Sequence, residues 1–193
     1  TRFYLNLLPR PKVMMNSTYL YPISVQDEVF TWIADLRPRL PRNMEPLVFL
    51  RRDLFGHPGP SLIVTGPTLG ESREECEAAL ALLETCPVLD QLLAGGEETL
   101  YWPNRRYAAD NMWTNASAAD LLPGMRKIAQ TLPGVPSHMM WMLWGEVPDL
   151  PDMAFSMQGD IYIAVYSVWD NPAEDARHQH WVTDRMKELE PLA

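Results

Sequence analysis

The residues at positions 160–169 read DIYIAVYSVW, and the alternation within this stretch decides which fold the sequence can form. Ile161, Ile163 and Val165 recur at every second position and form one β-branched face of a strand, suited to packing against helices. The other face carries Asp160, Tyr162, Ala164 and Tyr166. Its two phenols can stack on a planar ligand or donate hydrogen bonds to one, but tyrosines at an ordinary sheet surface would give the same pattern.

A second strand, predicted at positions 138–146, is apolar on both of its faces. One face carries Met139, Trp141 and Leu143, and the other carries His138, Met140, Met142 and Trp144. If helices cover one face of an antiparallel sheet, the opposite face should be polar where it meets water. Two interpretations are therefore open. Either a second packed layer covers this face, or the face itself covers a bound aromatic ligand or cofactor.

Similar patterns predict the elements on either side of these two strands. Strands are expected at 3–8, 13–21, 45–52, 61–65 and 107–113, and helices at 25–36, 71–84, 88–93, 117–131 and from 171 onward. Several strands follow one another without an intervening helix, which favours an α+β fold, an antiparallel sheet with helices on one face. Two split β-α-β units joined edge to edge, a duplicated ferredoxin-like arrangement, would give this order. The sequence lacks a glycine-rich phosphate loop, which disfavours a doubly wound nucleotide fold.

Length, charge and cysteine content narrow the class of protein further. The 193 residues are 47% hydrophobic, enough for one well-buried domain over positions 1–193. A net charge of −9 opposes binding to phosphate backbones, and no apolar run is long enough to span a bilayer, so neither nucleic acid nor membrane is expected as a partner. Cys76 and Cys86 lie about 15 Å apart along a predicted helix, so we expect free thiols in the reducing cytoplasm.

Established catalytic and metal-binding motifs are not found in the sequence. It contains no C-x-x-C, no H-E-x-x-H and no phosphate-binding loop. His178 and His180 are two residues apart, so on a helix they point in different directions and do not predict a metal site. His57 and His138 stand alone in the sequence and indicate no Ser-His-Asp arrangement.

Three stretches of the sequence together resemble one enzyme family. Positions 152–159 read DMAFSMQG and are followed by YIAVY at 162–166 and by Trp169. Positions 106–113 read RYAADNMW, and positions 61–83 combine a predicted strand, a glycine-containing turn and a helix. In order and spacing, these stretches resemble the substrate domain of berberine-bridge-enzyme-like FAD oxidoreductases, within the vanillyl-alcohol-oxidase-type group.

The resemblance implies a domain that covers a flavin without holding all of it. In this family an antiparallel sheet, backed by helices, turns its free face to the isoalloxazine ring, and the flavin takes a hydride from the substrate. FAD would be held mainly by an FAD-binding domain or subunit outside this chain. The chain begins at Thr1 next to a predicted strand and ends soon after a predicted helix, so we expect part of a larger protein or assembly. The expected function is the oxidation of a small, aromatic alcohol or amine.

The resemblance also implies which residues face the substrate. The family position that often holds a catalytic acid or amide corresponds to Ala164, which cannot move a proton, and the position two earlier is Tyr162. Tyr162 is therefore the first candidate for the catalytic base, followed by Tyr166 and Asp110. The predicted substrate-binding residues are Trp113, His138, Met140, Met142, Trp144, Gln158 and Ala164.

Two other functions are compatible with the same patterns. A non-enzymatic ferredoxin-like module would bind a small aromatic ligand or a partner subunit. A small cofactor-free monooxygenase of ferredoxin-like fold would use a pocket lined by tryptophan and methionine. Both alternatives predict a protein without flavin chemistry.

Overall fold

A computed structural model of the chain describes residues 9–89, 91–92, 105–144 and 159–193. The α-helices in these parts are α1 (Gln26–Asp35), α2 (Arg73–Leu80), α3 (Ala118–Thr131) and α4 (Asp175–Leu189). The strands there are β1 (Val13–Met15), β2 (Thr18–Pro22), β3 (Leu47–Leu54), β4 (His57–Thr65), β5 (Thr68–Gly70), β6 (Arg106–Thr114), β7 (His138–Leu143) and β8 (Ile161–Trp169). The strand predicted at 3–8 lies outside the described residues.

The main sheet consists of two copies of one β-α-β-β unit. Its described strands pair in the order β2-β4-β3-β7-β8-β6, and every neighbouring pair is antiparallel. The first unit is β2-α1-β3-β4 and the second is β6-α3-β7-β8, and in each unit the last strand lies between the first two. The units meet edge to edge where β3 pairs with β7. This arrangement confirms the predicted α+β fold built from duplicated split β-α-β units.

The hydrophobic core lies between one face of the main sheet and helices α1, α3 and α4. Ile163 and Val165 of β8 are fully buried there, as their β-branched face predicts. Trp141 of β7 is also fully buried, and its ring packs against Phe30 of α1 with ring centroids 5.0 Å apart. Because side chains alternate along a strand, the residues between these core positions point to the other side of the sheet.

Helix α4 is fixed to the sheet by polar as well as apolar contacts. The buried His178 of α4 stacks on Trp169 with ring centroids 4.6 Å apart, and its Nδ1 lies 2.6 Å from the hydroxyl of Ser167. Asp175 accepts hydrogen bonds from the indole of Trp169 at 2.8 Å and from Arg106 of β6 at 2.6 Å. These contacts give His178 a structural role in docking α4, and His180 is exposed on the outer face of the helix.

Two of the predicted elements are wrong in detail. The strand predicted at 13–21 is divided between two sheets, since β1 pairs with β5 in a small ribbon and β2 pairs with β4. The helix predicted at 88–93 does not form in its described residues, where Leu92 instead makes a β-bridge to Leu20. The prediction of free thiols is confirmed, because Cys76 and Cys86 are both unbridged.

Replacing Trp141 with alanine should test the importance of this core. We expect Trp141→Ala to lower the free energy of unfolding by about 3–5 kcal/mol, since a fully buried indole leaves a large cavity. Urea denaturation measures the change. The control Tyr107→Phe alters a side chain that is 73% exposed and should change stability by less than about 0.5 kcal/mol. A loss below about 1 kcal/mol for Trp141→Ala would contradict this picture of the core.

Candidate functional site

The candidate site is the free face, defined as the side of the main sheet opposite helices α1, α3 and α4. On the half formed by β2, β4 and β3, buried Leu20, Leu54 and Ile63 make a small apolar cluster with Phe49, Phe55 and Leu92 packed against it. On the half formed by β7, β8 and β6, the free face carries mainly aromatic, methionine and small side chains. The second half is therefore where aromatic side chains are available to a ligand.

Strand register brings the predicted residues into rows that run across the free face. One row joins Met142, Tyr162 and Trp113, the next joins Met140, Ala164 and Asn111, and the third joins His138, Tyr166 and Ala109. The Cβ atoms of neighbours in a row lie about 4.5–5.5 Å apart, so their side chains are close enough to touch. Most of the residues that the sequence predicted for the site therefore form one continuous surface.

Three aromatic rings form a tryptophan cluster at one end of this surface: Trp113, Trp144 and Tyr162. The ring centroids of Trp113 and Tyr162 are 4.9 Å apart, and those of Trp113 and Trp144 are 5.7 Å apart. Trp144 is 38% exposed, which is a high value for so large an apolar side chain. The cluster offers indole surface to a ligand and surrounds the Tyr162 ring with apolar groups.

A histidine stack occupies the other end of the surface and consists of Phe49, His138 and Tyr166. His138 and Tyr166 are stacked with centroids 4.6 Å apart and planes 15° apart, and Phe49 lies on the His138 side at 6.1 Å. The Nδ1–H of His138 donates to the carbonyl oxygen of Pro136 at 3.2 Å, which fixes the ring orientation. Burial lowers the pKa of His138, and the nearby charge of Arg51 lowers it further, against the opposing effect of the Pro136 carbonyl.

Ala164 separates the two groups of rings along β8. Tyr162 and Tyr166 flank Ala164 on the same face of β8. Ala164 itself is only 1% exposed. Burial raises the pKa of Tyr162 to about 12, and the proximity of Tyr166 acts in the same direction. At neutral pH Tyr162 is therefore a hydrogen-bond donor rather than a phenolate.

Two predicted site residues are not part of this surface as described. Asp110 pairs with Val165 and so lies on the helix side of the sheet, where it is exposed and its carboxylate accepts from the Asn111 N–H at 2.8 Å. Its role as a base stays a prediction, and its position separates it from Tyr162. Gln158 lies outside the described residues.

Phe49, Arg51 and Asn111 are among the free-face residues that the sequence predictions did not name. Phe49 and Arg51 belong to the histidine side of the surface, and Asn111 lies beside Ala164. Arg51 is only 3% exposed although it carries a charge. Alternation within the strand predicted at 45–52 places Phe49 and Arg51 on one face, but it does not indicate that His138 is their neighbour.

The described residues contain no group of three or more His, Cys, Asp or Glu side chains arranged to hold a metal ion. None of the helices in these parts has the length and apolar content that crossing a bilayer requires. The side chains of the free face support aromatic packing, and the two phenols add hydrogen-bonding groups.

Sequence comparison finds relatives that extend well beyond this chain. The chain is 28% identical over 207 residues to the FAD-linked oxidoreductase nodO of Hypoxylon pulicicidum. It is 25% identical over 205 residues to the FAD-linked oxidoreductase janO of Penicillium janthinellum. Both alignments cover 98% of this chain but 45% of the relative, so the chain spans less than half the length of the curated relatives it matches. No protein-family model matches the chain.

Solved structures of flavoenzymes share the fold. The 6-hydroxy-D-nicotine oxidase of Arthrobacter nicotinovorans matches with a TM-score of 0.70 and 12% identity, over 94% of this chain and 44% of that one. The berberine bridge enzyme of Eschscholzia californica matches with a TM-score of 0.62 and 10% identity, over 93% of this chain and 41% of that one. At sequence identities this low, the structural likeness shows a shared fold and no more.

Fold and sequence point to the same class of protein. The chain shares the fold of berberine bridge enzyme and related flavoenzymes, and the sequence relatives are FAD-linked oxidoreductases. These findings confirm the family resemblance predicted from the residues. They also agree with FAD as the cofactor. This chain corresponds to less than half of each relative, which is consistent with FAD being held by another domain.

The lowered pKa of His138 predicts how stability depends on pH. An unfolded histidine gains a proton near pH 6.5, whereas the folded His138 resists protonation until a lower pH. Between these two values the unfolded state binds more protons, so stability falls as the pH falls. Wild-type protein should therefore lose more stability between about pH 7.5 and pH 5 than His138→Phe.

Urea denaturation at both pH values measures this difference. The matched control His180→Phe makes the same chemical change at an exposed position and should lose as much stability as the wild type. Equal losses for wild type and His138→Phe would show that His138 does not contribute to the acid sensitivity.

Proposed function

We propose that the chain is the substrate-binding domain of an FAD-dependent oxidoreductase, with FAD held mainly by a domain or subunit outside these residues. The substrate is a small aromatic alcohol or amine, oxidised by hydride transfer. The observation that carries the proposal is the aromatic, hydroxyl-bearing free face, which lies opposite helices α1, α3 and α4. The alignments cover only 45% of each relative, which supports a cofactor-binding region outside this chain.

The free face suits the ring system of a flavin better than its diphosphate. A planar ring can lie against the exposed indole of Trp144 and the other rings of the tryptophan cluster. A net charge of −9 opposes the diphosphate, and the sequence has no glycine-rich loop to bind it. We therefore assign the isoalloxazine side of the cofactor to this face and the diphosphate to the remainder of the protein.

In this proposal, some residues of the free face bind the substrate and others exchange its proton. Bound flavin would supply the acceptor for a hydride from the substrate. Trp113 and Trp144 provide apolar rings against which an aromatic substrate packs, and the methionines of β7 complete that surface. Tyr162 and Tyr166 orient the substrate oxygen or nitrogen and exchange its proton. Ala164 leaves room for both phenols to reach the same substrate atom.

If the cofactor is bound by two regions of a larger protein, this chain expressed alone should not retain it. We expect the 193-residue chain to purify without flavin, because it supplies the ring-covering face but no site for the diphosphate. Absorbance at visible wavelengths detects bound FAD. The matching protein that also contains an FAD-binding domain should carry about one FAD per chain. Stoichiometric FAD on the isolated chain would contradict the proposed division.

A second prediction concerns the Tyr162 hydroxyl. In the FAD-containing protein, Tyr162→Phe should slow flavin reduction by 4-hydroxybenzyl alcohol by about a hundredfold, the lower range for a group that takes part in proton transfer. Stopped-flow absorbance of the flavin measures the rate. Tyr107→Phe removes a phenol from the exposed end of β6 and should leave the rate unchanged. An unchanged rate for Tyr162→Phe would exclude its hydroxyl from the proton path.

A further inference from the structure

The small ribbon formed by β1 and β5 carries two exposed apolar side chains. Met14 is 77% exposed and Leu69 is 45% exposed, and the two residues form a cross-strand pair. A single apolar residue on a protein surface needs no explanation, whereas a contiguous apolar patch marks a contact site. The surroundings of this pair therefore decide its meaning.

The pair points to the same side of the molecule as the free face. Met15 packs against the core that lies beneath the helices, so Met14, one residue earlier in the strand, points the opposite way. Leu69 lies directly opposite Met14, and residues in that relation share a side. Its strand neighbour Thr68 is fully buried, which agrees with this alternation.

The exposed Trp144 lies at the same end of the main sheet. One row of the free face joins Thr65 of β4, Leu47 of β3 and Met142 of β7. Because β4 and β7 are both antiparallel to β3, they leave this row in the same direction. On one side the chain reaches Leu69 shortly after Thr65, and on the other it reaches Trp144 shortly after Met142. Two strand spacings, about 10 Å, separate β4 from β7.

These residues form an apolar rim along one end of the free face. The rim consists of Met14, Leu69, Leu47, Met142 and Trp144. The indole N–H of Trp144 is the one conventional hydrogen-bonding group among these five side chains. The rim is therefore continuous with the tryptophan cluster, to which Trp144 also belongs.

The ribbon is fixed in position by contacts within the chain. Helix α2 packs against its other side, where the thiol of Cys76 lies 4.0 Å from the carbonyl oxygen of Thr68. Asn16 holds the joint between ribbon and sheet, since its Oδ1 accepts from the Thr65 hydroxyl at 2.8 Å and from the Gly66 N–H at 3.0 Å. A surface that is already ordered loses little conformational entropy when a partner binds.

We propose that the apolar rim is a docking surface whose occupant is the FAD-binding domain or subunit. This inference rests on the proposed function and names a protein surface through which that partner binds, beyond the flavin itself. More than half of each curated relative lies outside the alignment with this chain. A folded domain is wider than the roughly 10 Å between β4 and β7, so a domain that places a flavin ring on Trp144 also covers Met14 and Leu69.

Oxidation of Met14 by hydrogen peroxide tests the contact, because the reagent converts exposed methionine to its sulfoxide, which peptide mass spectrometry detects. Covering Met14 takes it from 77% exposed to the few per cent of a buried residue, so oxidation should be about tenfold slower in the FAD-containing protein than in the 193-residue chain. As a control, the methionine of His180→Met lies on the outer face of α4 and should oxidise equally fast in both proteins.

Two outcomes of this measurement would overturn the proposal. One is equal oxidation of Met14 in the two proteins. The other is protection of Met14 in the 193-residue chain that increases with its concentration, which would identify a second copy of the chain as the occupant.

A charge introduced into the rim tests whether the contact stabilises the assembly. Leu69→Asp should lower the thermal unfolding midpoint of the FAD-containing protein, followed by flavin fluorescence, by several degrees more than that of the 193-residue chain, because only the former buries the carboxylate at an interface. His180→Asp places the same charge on the outer face of α4 and should leave both midpoints unchanged. Equal losses for Leu69→Asp in the two proteins would assign Leu69 to the stability of the ribbon alone and overturn the proposal.

The docking surface and the proposed function fail separately. Met14 that stays unprotected in a protein whose flavin is reduced by 4-hydroxybenzyl alcohol would overturn the docking surface and leave the proposed function standing. Protected Met14 in a protein that binds no FAD would support docking and count against the proposed function alone.

Discussion

The structure depends on the alternation of side chains along strands that have helices on one side only. Helices α1, α3 and α4 bury Trp141 and Ile163, so the residues between them must face the opposite side of the sheet. A shift of the register by one residue would exchange the two faces and move the phenols into the core. The stability of the core thus fixes the position of the candidate site.

Duplication of the β-α-β-β unit explains the size of the sheet but not the location of the site. The first unit contributes the half of the free face on which Leu20, Leu54 and Ile63 are buried. The second unit contributes the half that carries the phenols and indoles. The two halves share a topology and differ in side chains, so the site arises from the sequence of the second unit.

Within that half, the two tyrosines of β8 have different neighbours, which come from strands distant in the sequence. Tyr162 packs against the indole of Trp113, whereas Tyr166 stacks on the imidazole of His138, whose neighbour across the sheet is the buried Arg51. The proposed oxidation of an alcohol or amine would need a group near the hydride acceptor that handles the substrate proton, and these two phenols are the hydroxyl groups that β8 offers. Ala164, which lies between the two phenols on β8, is buried.

The sequence by itself determined most of the elements and the two faces of β7 and β8, because the periods of helices and strands are local properties of the chain. It did not determine that the segment at 13–21 divides between two sheets, that Asp110 lies on the helix side, or that Arg51 lies beside His138. Those facts depend on which strands pair and in what register. Pairing is decided by contacts between residues far apart in the sequence, which the tertiary structure alone establishes.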